Sequence, residues 1–126
     1  RLLGNRHDAK RLLDAADLVV HPSHSEGLSL VLIQSQMLGK PIVATAVGGT
    51  REVLAADSPE CTSWLAQPSD AQSLAASINQ ALVAVAEPSS EFSEKLLATT
   101  ARMHQQFTVA NTAKKWVELA ARLQDD

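Results

Sequence analysis

The sequence predicts an α/β fold, a Rossmann-like parallel sheet with helices on both of its faces. Three short apolar segments, at residues 18–21, 41–45 and 63–67, lack a regular alternation with polar residues, which is typical of strands buried on both faces. Helical patterns lie between and after these segments, and strands that alternate with helices form parallel sheets. Ligands of such sheets bind at the carboxyl ends of the strands. The loops expected there span residues 4–7, 22–27 and 46–49.

Composition and charge narrow the class of protein. The 126 residues suit one domain or one half of a two-domain enzyme, and 45% of them are hydrophobic, which is enough for a sizeable core. The formal net charge of −3 gives no support for a nucleic-acid or anionic-membrane surface. The single cysteine, Cys61, excludes an internal disulfide and fits a reducing compartment. No apolar run approaches the length of a transmembrane helix.

The first residues predict a fragment of a larger protein. The chain opens without methionine, in a short apolar run at residues 1–3 that resembles the end of a strand. We therefore expect that the earlier part of the domain is missing. A short helix is expected next, with Leu12, Leu13 and Ala16 on one face. Residues 28–38 are apolar around most of a helical circumference, which is typical of a helix enclosed in a core.

Three further helices are expected after residue 67. Ser69 is the predicted N-cap of the first, with Gln72 completing a capping box, and Thr108 is the predicted N-cap of the last. Trp64 and Trp116 lie on apolar faces and are expected in the core. The predicted apolar positions of the three helices are Ala71, Leu74, Ala75, Ile78, Leu82 and Val85, then Phe92, Leu96, Met103 and Phe107, then Ala113, Trp116, Val117, Ala120 and Leu123.

The stretch PSHSEGLS follows a predicted strand and precedes a predicted helix. The backbone amides of residues 27–29 would be unpaired at the start of that helix, where the helix dipole also favours an anion. Gly27 lacks the side chain that would block a phosphate. Alternatively, Ser25 or Glu26 simply caps the helix and no ligand binds there, and the spacing alone slightly favours this simpler interpretation.

Glu26 and Gln34 are separated by eight residues, or about 12 Å along a helix. This separation suits the two ends of an extended ligand rather than a catalytic pair of carboxylates. Both side chains can bond to hydroxyl groups, which sugars and riboses carry in abundance. Taken alone, Gln34 is more simply a polar residue on the wet face of its helix.

Other polar features carry weaker signals. The Gly48–Gly49 pair permits a positive φ and a close backbone approach, although an ordinary turn is the simpler interpretation. His21 and His24 are three residues apart, but a metal site needs three or four ligands and no further His or Cys is nearby, so no metal is expected. An exposed loop position is the simpler interpretation of His24, and Cys61 is expected to pack.

Several motifs occur in a fixed order over nearly the whole chain. They are "AADLVVHPSHSEGLSLVLIQSQMLGKPIVATAVGGTREVL", "QPSDAQSLAASI" and the closing "FTVANTAKKW". Their order and spacing resemble the C-terminal, donor-binding domain of retaining GT-B glycosyltransferases, the family 4 group of nucleotide-sugar-dependent enzymes, or glycosyl transferases group 1. The resemblance implies that residues 1–126 are part of the C-terminal half of a GT-B fold.

The resemblance also implies roles for individual residues. Glu26 matches the first Glu of the family's paired-Glu motif, which contacts the transferred sugar, and is the implied catalytic residue. Gly27, Leu28 and Ser29 lie where backbone amides meet the diphosphate and the sugar. Ser23, in the "PS..EG" motif, is counted with the donor-binding residues.

Gln34 and Arg6 are the implied contacts at the nucleotide end. Gln34 stands where the family has its second Glu, which holds the ribose hydroxyls, and Arg6 lies in the loop near the base. An amide in place of a carboxylate removes a charge-assisted hydrogen bond, so weaker binding or a shifted nucleotide preference is expected. Ser29 also departs from the family, which often has Gly there.

The resemblance implies an enzyme that moves a sugar from a nucleotide diphosphate sugar to an acceptor with retention of configuration. The acceptor would bind through a missing N-terminal domain, and no cofactor or metal is expected. A cytoplasmic location is implied, with peripheral membrane association of the parent as an option. Two alternatives stay open: a non-catalytic nucleotide-binding or interaction module, which Gln34 keeps in view, and a nucleotide-sugar epimerase on the same scaffold.

Overall fold

Six helices and three strands make up the part of the chain that the computed structural model describes, residues 1–59 and 61–123. In chain order the elements are α1 (Ala9–Ala15), β1 (Val19–His21), α2 (Leu30–Met37), β2 (Ile42–Thr45), α3 (Thr50–Val53), β3 (Ser63–Ala66), α4 (Ala71–Ala86), α5 (Ser90–Gln106) and α6 (Val109–Arg122).

The three strands form one parallel sheet in the order β1-β2-β3. His21 pairs with Ala44 and Ala44 pairs with Leu65, so the carboxyl ends of all three strands meet at one edge. All four residues of β2 are buried. Since neighbouring strand residues point to opposite faces, both faces of the sheet must be covered. Helices α2 and α4 both pack on β2, which confirms the predicted Rossmann-like sheet with helices on both faces.

The core lies between the sheet and α2, which also packs against α3 and α5. Its fully buried side chains include Leu32 of α2, Ile42 of β2 and Met103 of α5. Burial of each such side chain contributes about 1.5–3 kcal/mol to the free energy of unfolding. The predicted apolar face of α5 is confirmed, because Met103 is buried and Phe92, Leu96 and Phe107 are half-buried.

Helix α2 is less enclosed than its composition predicts. Leu32, Ile33, Ser35 and Gln36 are buried, but Leu30 is 67% exposed, and Val31 and Gln34 face solvent with it. The expectation of a helix enclosed on all sides is therefore wrong for its outer face. Composition alone cannot tell which side of an evenly apolar helix meets the sheet.

The expected strand at residues 1–3 is not formed. Leu2 is fully exposed and no residue of this segment takes part in the sheet, in which β1 pairs with β2 alone. A strand needs a hydrogen-bonded neighbour, and none of the described residues supplies one here. The short helix after it is confirmed as α1, with Leu13 and Ala16 packed against the core and Leu12 exposed.

Helix α4 begins one residue later than predicted. The carboxylate of Asp70 accepts from the amides of Gln72 and Ser73, both at 2.9 Å, so Asp70 is the N-cap. Ser69, the predicted N-cap, instead has a φ of +58°, in the left-handed region that shapes the preceding turn. One carboxylate oxygen of Asp70 thereby satisfies two of the amides that are unpaired at the start of the helix.

The buried face of α4 is also rotated from the predicted one. Ser77 and Ala81 are buried, whereas Leu82 is exposed. Leu74, Ile78 and Val85 are half-buried, and Ala71 and Ala75 are exposed. Small residues therefore make the closest approach to the sheet, which a search for large apolar side chains overlooks.

Helix α6 has no buried residue. Thr108 caps it as predicted, accepting from the amide of Asn111 at 3.0 Å. Trp116, expected in the core, is 67% exposed, so that prediction is wrong for the described part of the chain. Trp64 does pack, with its ring 5.8 Å from the ring of Phe92. Among residues 1–59 and 61–123, no helix has the length and apolarity needed to cross a membrane.

The corrected N-cap of α4 leads to a stability prediction. Asp70→Ala should lower the free energy of unfolding by about 1 kcal/mol, because two helix amides lose their acceptor. The matched variant Ser69→Ala should change it by less than about 0.5 kcal/mol, since the Ser69 hydroxyl caps no amide. Urea denaturation of both variants provides the measurement. A larger loss for Ser69→Ala than for Asp70→Ala would contradict the assignment.

Candidate functional site

The loop from Pro22 to Ser29 lies at the carboxyl edge of the sheet, between β1 and α2. It begins directly after His21, the last residue of β1. His21 and Val19 point to the same face of the sheet because strand residues alternate, and Val19 belongs to the core cluster that contains α2 residues. The alternation therefore directs the imidazole of His21 toward the start of α2, under the loop.

Four side chains of this region form one hydrogen-bonded cluster. Oε1 of Glu26 lies 2.9 Å from Nε2 of His21 and 2.9 Å from the hydroxyl of Ser23, which donates to it. The same His21 nitrogen lies 3.1 Å from Oγ of Ser23 and 3.3 Å from Oγ of Ser29. We call His21, Ser23, Glu26 and Ser29 the loop cluster. It brings together three of the predicted site residues and adds His21.

The loop cluster favours the ionised form of Glu26. The hydrogen bond from Ser23 is the largest cause that lowers the pKa of the Glu26 carboxyl below its usual value, and the contact with His21 lowers it further. The carboxylate is still partly open, with 26% of its side chain exposed. An ionised, partly open carboxylate can accept hydrogen bonds from the hydroxyl groups of a ligand.

The start of α2 presents backbone donors beside this carboxylate. The helix begins at Leu30 with Ser29 as N-cap, two residues later than predicted, and the Ser29 side chain does not cap an amide. Among the described residues, no hydrogen-bond acceptor is found for the amides of Gly27, Leu28 or Ser29. The simpler interpretation, in which Ser25 or Glu26 caps the helix, is therefore wrong. The loop is able to donate to an anion.

The double glycine lies directly against this loop. Gly48 has a φ of +48°, and a Cβ on it would lie 1.7 Å from the carbonyl oxygen of Glu26. The amide of Gly49 donates to the carbonyl of Gly27 at 3.0 Å. The hydroxyl of Thr45 donates to the carbonyl of Ser23 nearby. Gly48 has the positive φ that the glycine pair permits, both glycines approach the backbone of the β1–α2 loop closely, and the simpler interpretation as an ordinary turn misses this contact.

The residues predicted for the nucleotide end lie apart from the loop cluster. Gln34 is exposed on α2 and borders a shallow cavity of about 210 Å³, lined also by Lys10, Met37, Leu38 and His104. Arg6 is exposed, and its guanidinium forms a two-fold ion pair with Asp8, at 2.7 and 2.6 Å. That pairing raises the pKa of Arg6 and lowers the pKa of Asp8.

Leu28, the remaining predicted site residue, points elsewhere. Its side chain is more than half exposed and borders a cavity of about 420 Å³, between α3, α5 and α6. Only its backbone amide, at the start of α2, fits the predicted role. A role for the Leu28 side chain is therefore not needed for the predicted contact.

The other candidate residues do not join the loop cluster. Nδ1 of His24 lies 3.3 Å from the hydroxyl of Ser69, away from Glu26, and His24 is exposed. The thiol of Cys61 is half-buried and contacts the carbonyl of Ser63 at 3.5 Å. Within residues 1–59 and 61–123, no group of three or more His, Cys, Asp or Glu is arranged to hold a metal ion.

The contact between His21 and Glu26 is not predicted by the sequence motifs, in which His21 has a meaning only as a metal partner of His24. The strand alternation was the available signal, since it directs His21 toward the start of α2 and away from its neighbour Val20. A carboxylate in the following loop is the natural partner for an imidazole in that place.

A parallel sheet covered by helices, with a loop and a helix start at its carboxyl edge, defines a Rossmann-like domain. Comparison with protein families then identifies the particular group. Residues 2–96, more than half of the chain, match the model described as glycosyl transferases group 1, and the chain belongs to this family.

Curated relatives agree with this assignment. The chain is 51% identical over 45 residues to D-inositol 3-phosphate glycosyltransferase of Mycobacterium sp. (strain KMS), which covers 36% of the chain and 10% of that protein. It is 32% identical over 77 residues to lipopolysaccharide glucosyltransferase WaaG of Escherichia coli K12, which covers 61% of the chain and 20% of that protein. The chain thus matches a tenth to a fifth of the length of these relatives.

Solved structures show that the fold is that of the GT-B glycosyltransferases. Anabaena Alr3699/HepE in complex with UDP superposes with a TM-score of 0.77 and 27% identity, covering 95% of this chain and 31% of that one. The same protein has been solved with UDP-glucose, where the TM-score is 0.75 and the identity 28%, over 95% and 31%. A glycosyltransferase of Rickettsia africae ESF-5, at 20% identity, shares the fold with a TM-score of 0.80, covering 100% of this chain and 32% of that one.

The packing of Gly48 leads to a prediction on the loop. Gly48→Ala should lower the free energy of unfolding by about 1–2 kcal/mol or more, because its Cβ meets the carbonyl of Glu26 and its φ is positive. Gly27→Ala is the matched control, since a Cβ there has nothing within 4 Å. Thermal or urea unfolding compares the two variants. Equal stabilities would show that the glycine turn does not support the loop.

The pKa of Glu26 offers a second prediction. Ser23→Ala should raise the pKa of the Glu26 carboxyl toward its usual value, because the largest cause of the depression is removed. Ser25→Ala, an exposed neighbour, should leave it unchanged. Carbon-13 NMR titration of the carboxyl group between pH 2 and 7 measures both. A Ser23→Ala pKa equal to that of wild type would remove the hydroxyl from this role.

Proposed function

We propose that this chain is the donor-binding part of a retaining glycosyltransferase that uses a nucleotide diphosphate sugar. The observation that carries the proposal is the arrangement at the β1–α2 loop. There, an ionised carboxylate, held on one oxygen, stands beside three backbone amides with no acceptor among the described residues. A nucleotide diphosphate sugar needs both elements, an acceptor for sugar hydroxyls and donors for the diphosphate.

The sugar is proposed to lie against Glu26. An ionised carboxylate accepts charge-assisted hydrogen bonds from hydroxyl groups, which are stronger than bonds between neutral groups. When the bond between sugar and diphosphate breaks, negative charge builds on the leaving diphosphate. The amides of Gly27, Leu28 and Ser29 are the proposed donors that stabilise this charge, and they are already fixed in place before the reaction.

The nucleotide is proposed to extend toward Gln34 and Arg6. The cavity beside Gln34 contains the ammonium-bearing side chain of Lys10, so it offers donors as well as the amide oxygen. The guanidinium of Arg6 is paired with Asp8, so it must leave that partner before it can bond to the base. The Anabaena protein, which was solved with UDP and with UDP-glucose, supports a uracil nucleotide as the first donor to test.

The acceptor is proposed to bind to residues outside this chain. The chain covers only 31–32% of the similar solved structures, and a two-domain enzyme closes around its donor during the reaction. A cytoplasmic location fits the availability of nucleotide sugars, with peripheral association at a membrane for a membrane-bound acceptor. The similarity to a lipopolysaccharide glucosyltransferase supports an acceptor in polysaccharide or lipopolysaccharide synthesis.

Glu26→Ala provides a test of the assigned role. The variant should weaken binding of the nucleotide sugar about tenfold or more and binding of the bare nucleotide less than twofold, because the carboxylate meets only the sugar. Glu52→Ala, an exposed carboxylate on α3, is the control for loss of charge. Calorimetric titration gives both affinities. Equal losses for the two ligands would contradict the proposed contact.

The function itself is tested by ligand-observed NMR with UDP, ADP and GDP and with their glucose conjugates. Binding of one nucleotide, with competition from its sugar conjugate, would establish the donor site and identify the base. Transfer or hydrolysis of that donor by the complete protein that carries this chain would establish the enzyme. Binding without either reaction would favour the non-catalytic module, which the amide at Gln34 keeps as the second candidate.

A further inference from the structure

The imidazole of His21 has no role in the donor contacts proposed above, yet it lies at the centre of the loop cluster. Its Nε2 atom is within 3.3 Å of three oxygens, those of Glu26, Ser23 and Ser29. The ring is largely covered, with 17% of the side chain exposed. Its backbone is fixed by pairing with Ala44 in the central strand. A group on a rigid strand can hold a loop side chain more precisely than another loop residue can.

The protons of the cluster can be assigned by counting donors. An ionised carboxylate only accepts, so each partner of Oε1 must bring a hydrogen. The single hydroxyl hydrogen of Ser23 already goes to Oε1 of Glu26. The contact of 2.9 Å between Oε1 and Nε2 therefore requires that His21 carries a hydrogen on Nε2. The hydroxyl of Ser29 then accepts from the same N–H at 3.3 Å or bonds elsewhere.

This arrangement leaves one carboxylate oxygen for a ligand. Oε1 of Glu26 receives two donors from the protein, whereas no donor to Oε2 is found among the described residues. The two donors approach from His21 on the strand and from Ser23 in the loop, so they restrain the carboxylate in its plane. Without the imidazole, Oε1 would keep only a hydroxyl from the same loop.

We propose that His21 is a positioning residue for Glu26, whose Nε2–H holds Oε1 so that Oε2 faces the sugar of the donor. The proposal rests on the proposed function, because it concerns how the sugar contact is prepared. It adds a residue from the strand to a contact that the loop alone was expected to make. It also predicts a specific tautomer, which can be measured without any ligand.

The first test compares binding of UDP-glucose with binding of UDP. If the wild-type chain prefers ADP or GDP, that nucleotide and its glucose conjugate replace the uridine pair. His21→Phe keeps the ring but has no donor, and it should weaken the nucleotide sugar fivefold to tenfold and the nucleotide less than twofold. His21→Gln places an amide N–H near the Nε2 position and should recover most of the affinity. His24→Phe, an exposed imidazole three residues away, should bind both ligands as wild type does.

A double-mutant cycle separates positioning from a structural role. In the Glu26→Ala background, His21→Phe should cause no further loss, because the side chain that it positions is gone. Additive losses would overturn the proposal, as would equal losses of both ligands or unchanged binding by His21→Phe. If wild type binds none of the three pairs, the proposed function fails, and the positioning role fails with it.

The second test needs no ligand and is independent of the function. Long-range proton–nitrogen NMR spectra of the neutral imidazole should show the hydrogen of His21 on Nε2. In Glu26→Ala with Ser23→Ala, that preference should weaken, since the two nearer of the three oxygens around Nε2 are removed. A hydrogen on Nδ1 in wild type would overturn the proposal even if nucleotide sugars bind.

Discussion

The close approach of two backbone segments is the constraint on which the candidate site depends. The turn at Gly48 and Gly49 lies against the carbonyls of Glu26 and Gly27, so closely that a Cβ on either glycine would fall within 3.0 Å of an oxygen. The hydrogen bond from the Gly49 amide to the Gly27 carbonyl joins them. Because the Gly27 carbonyl accepts this hydrogen bond, the peptide group that contains it is held in one orientation. The β2–α3 turn thereby restrains the β1–α2 loop.

The hydrogen bonds of the loop cluster then decide what the fixed loop presents. A carboxylate on a mobile loop would form hydrogen bonds with water and sample many rotamers. Fixing that side chain when a ligand binds would reduce the binding free energy. Here, His21 and Ser23 occupy one oxygen of Glu26 and keep its pKa low. The Ser29 hydroxyl contacts His21 rather than an amide of α2, so the helix start keeps its donors. Backbone packing therefore fixes the position of the β1–α2 loop, and side-chain hydrogen bonds fix the orientation of the Glu26 carboxylate on it.

Much of this arrangement follows from the sequence. The buried strands, the parallel sheet and the place of the loop at its carboxyl edge could be predicted, because burial on both faces removes polar alternation and chain order fixes the edge. The caps at Thr108 and the apolar face of α5 follow from local spacing. The cap of α4 was predicted at Ser69 but is formed by Asp70; both residue types cap helices, so local spacing does not reveal that the left-handed φ of Ser69 moves the cap to the next residue.

Other features depend on contacts that no local pattern contains. The partner of the double glycine lies more than twenty residues earlier in the chain, so sequence spacing predicts a tight turn but not what it meets. The apolar face of α6 predicts burial of Trp116, yet burial needs a covering surface, and the described residues supply none. The contact of His21 with Glu26 could not be predicted from the sequence, because it depends on both the strand register and the conformation of the following loop.

The two ends of the proposed donor site differ in how far they are prepared for a ligand. At the proposed sugar end, two side chains bond to Glu26, His21 from strand β1 and Ser23 from the loop, so little freedom remains to be lost on binding. At the nucleotide end, Gln34 is exposed, and the guanidinium of Arg6 must leave Asp8 before it can bond to a base. Selectivity for the sugar can therefore come from a preformed contact, whereas contacts to the nucleotide must be organised on binding. The uncharged amide of Gln34 is consistent with this difference, since the charged carboxylate of the family's second Glu is absent at the less rigid end of the proposed site.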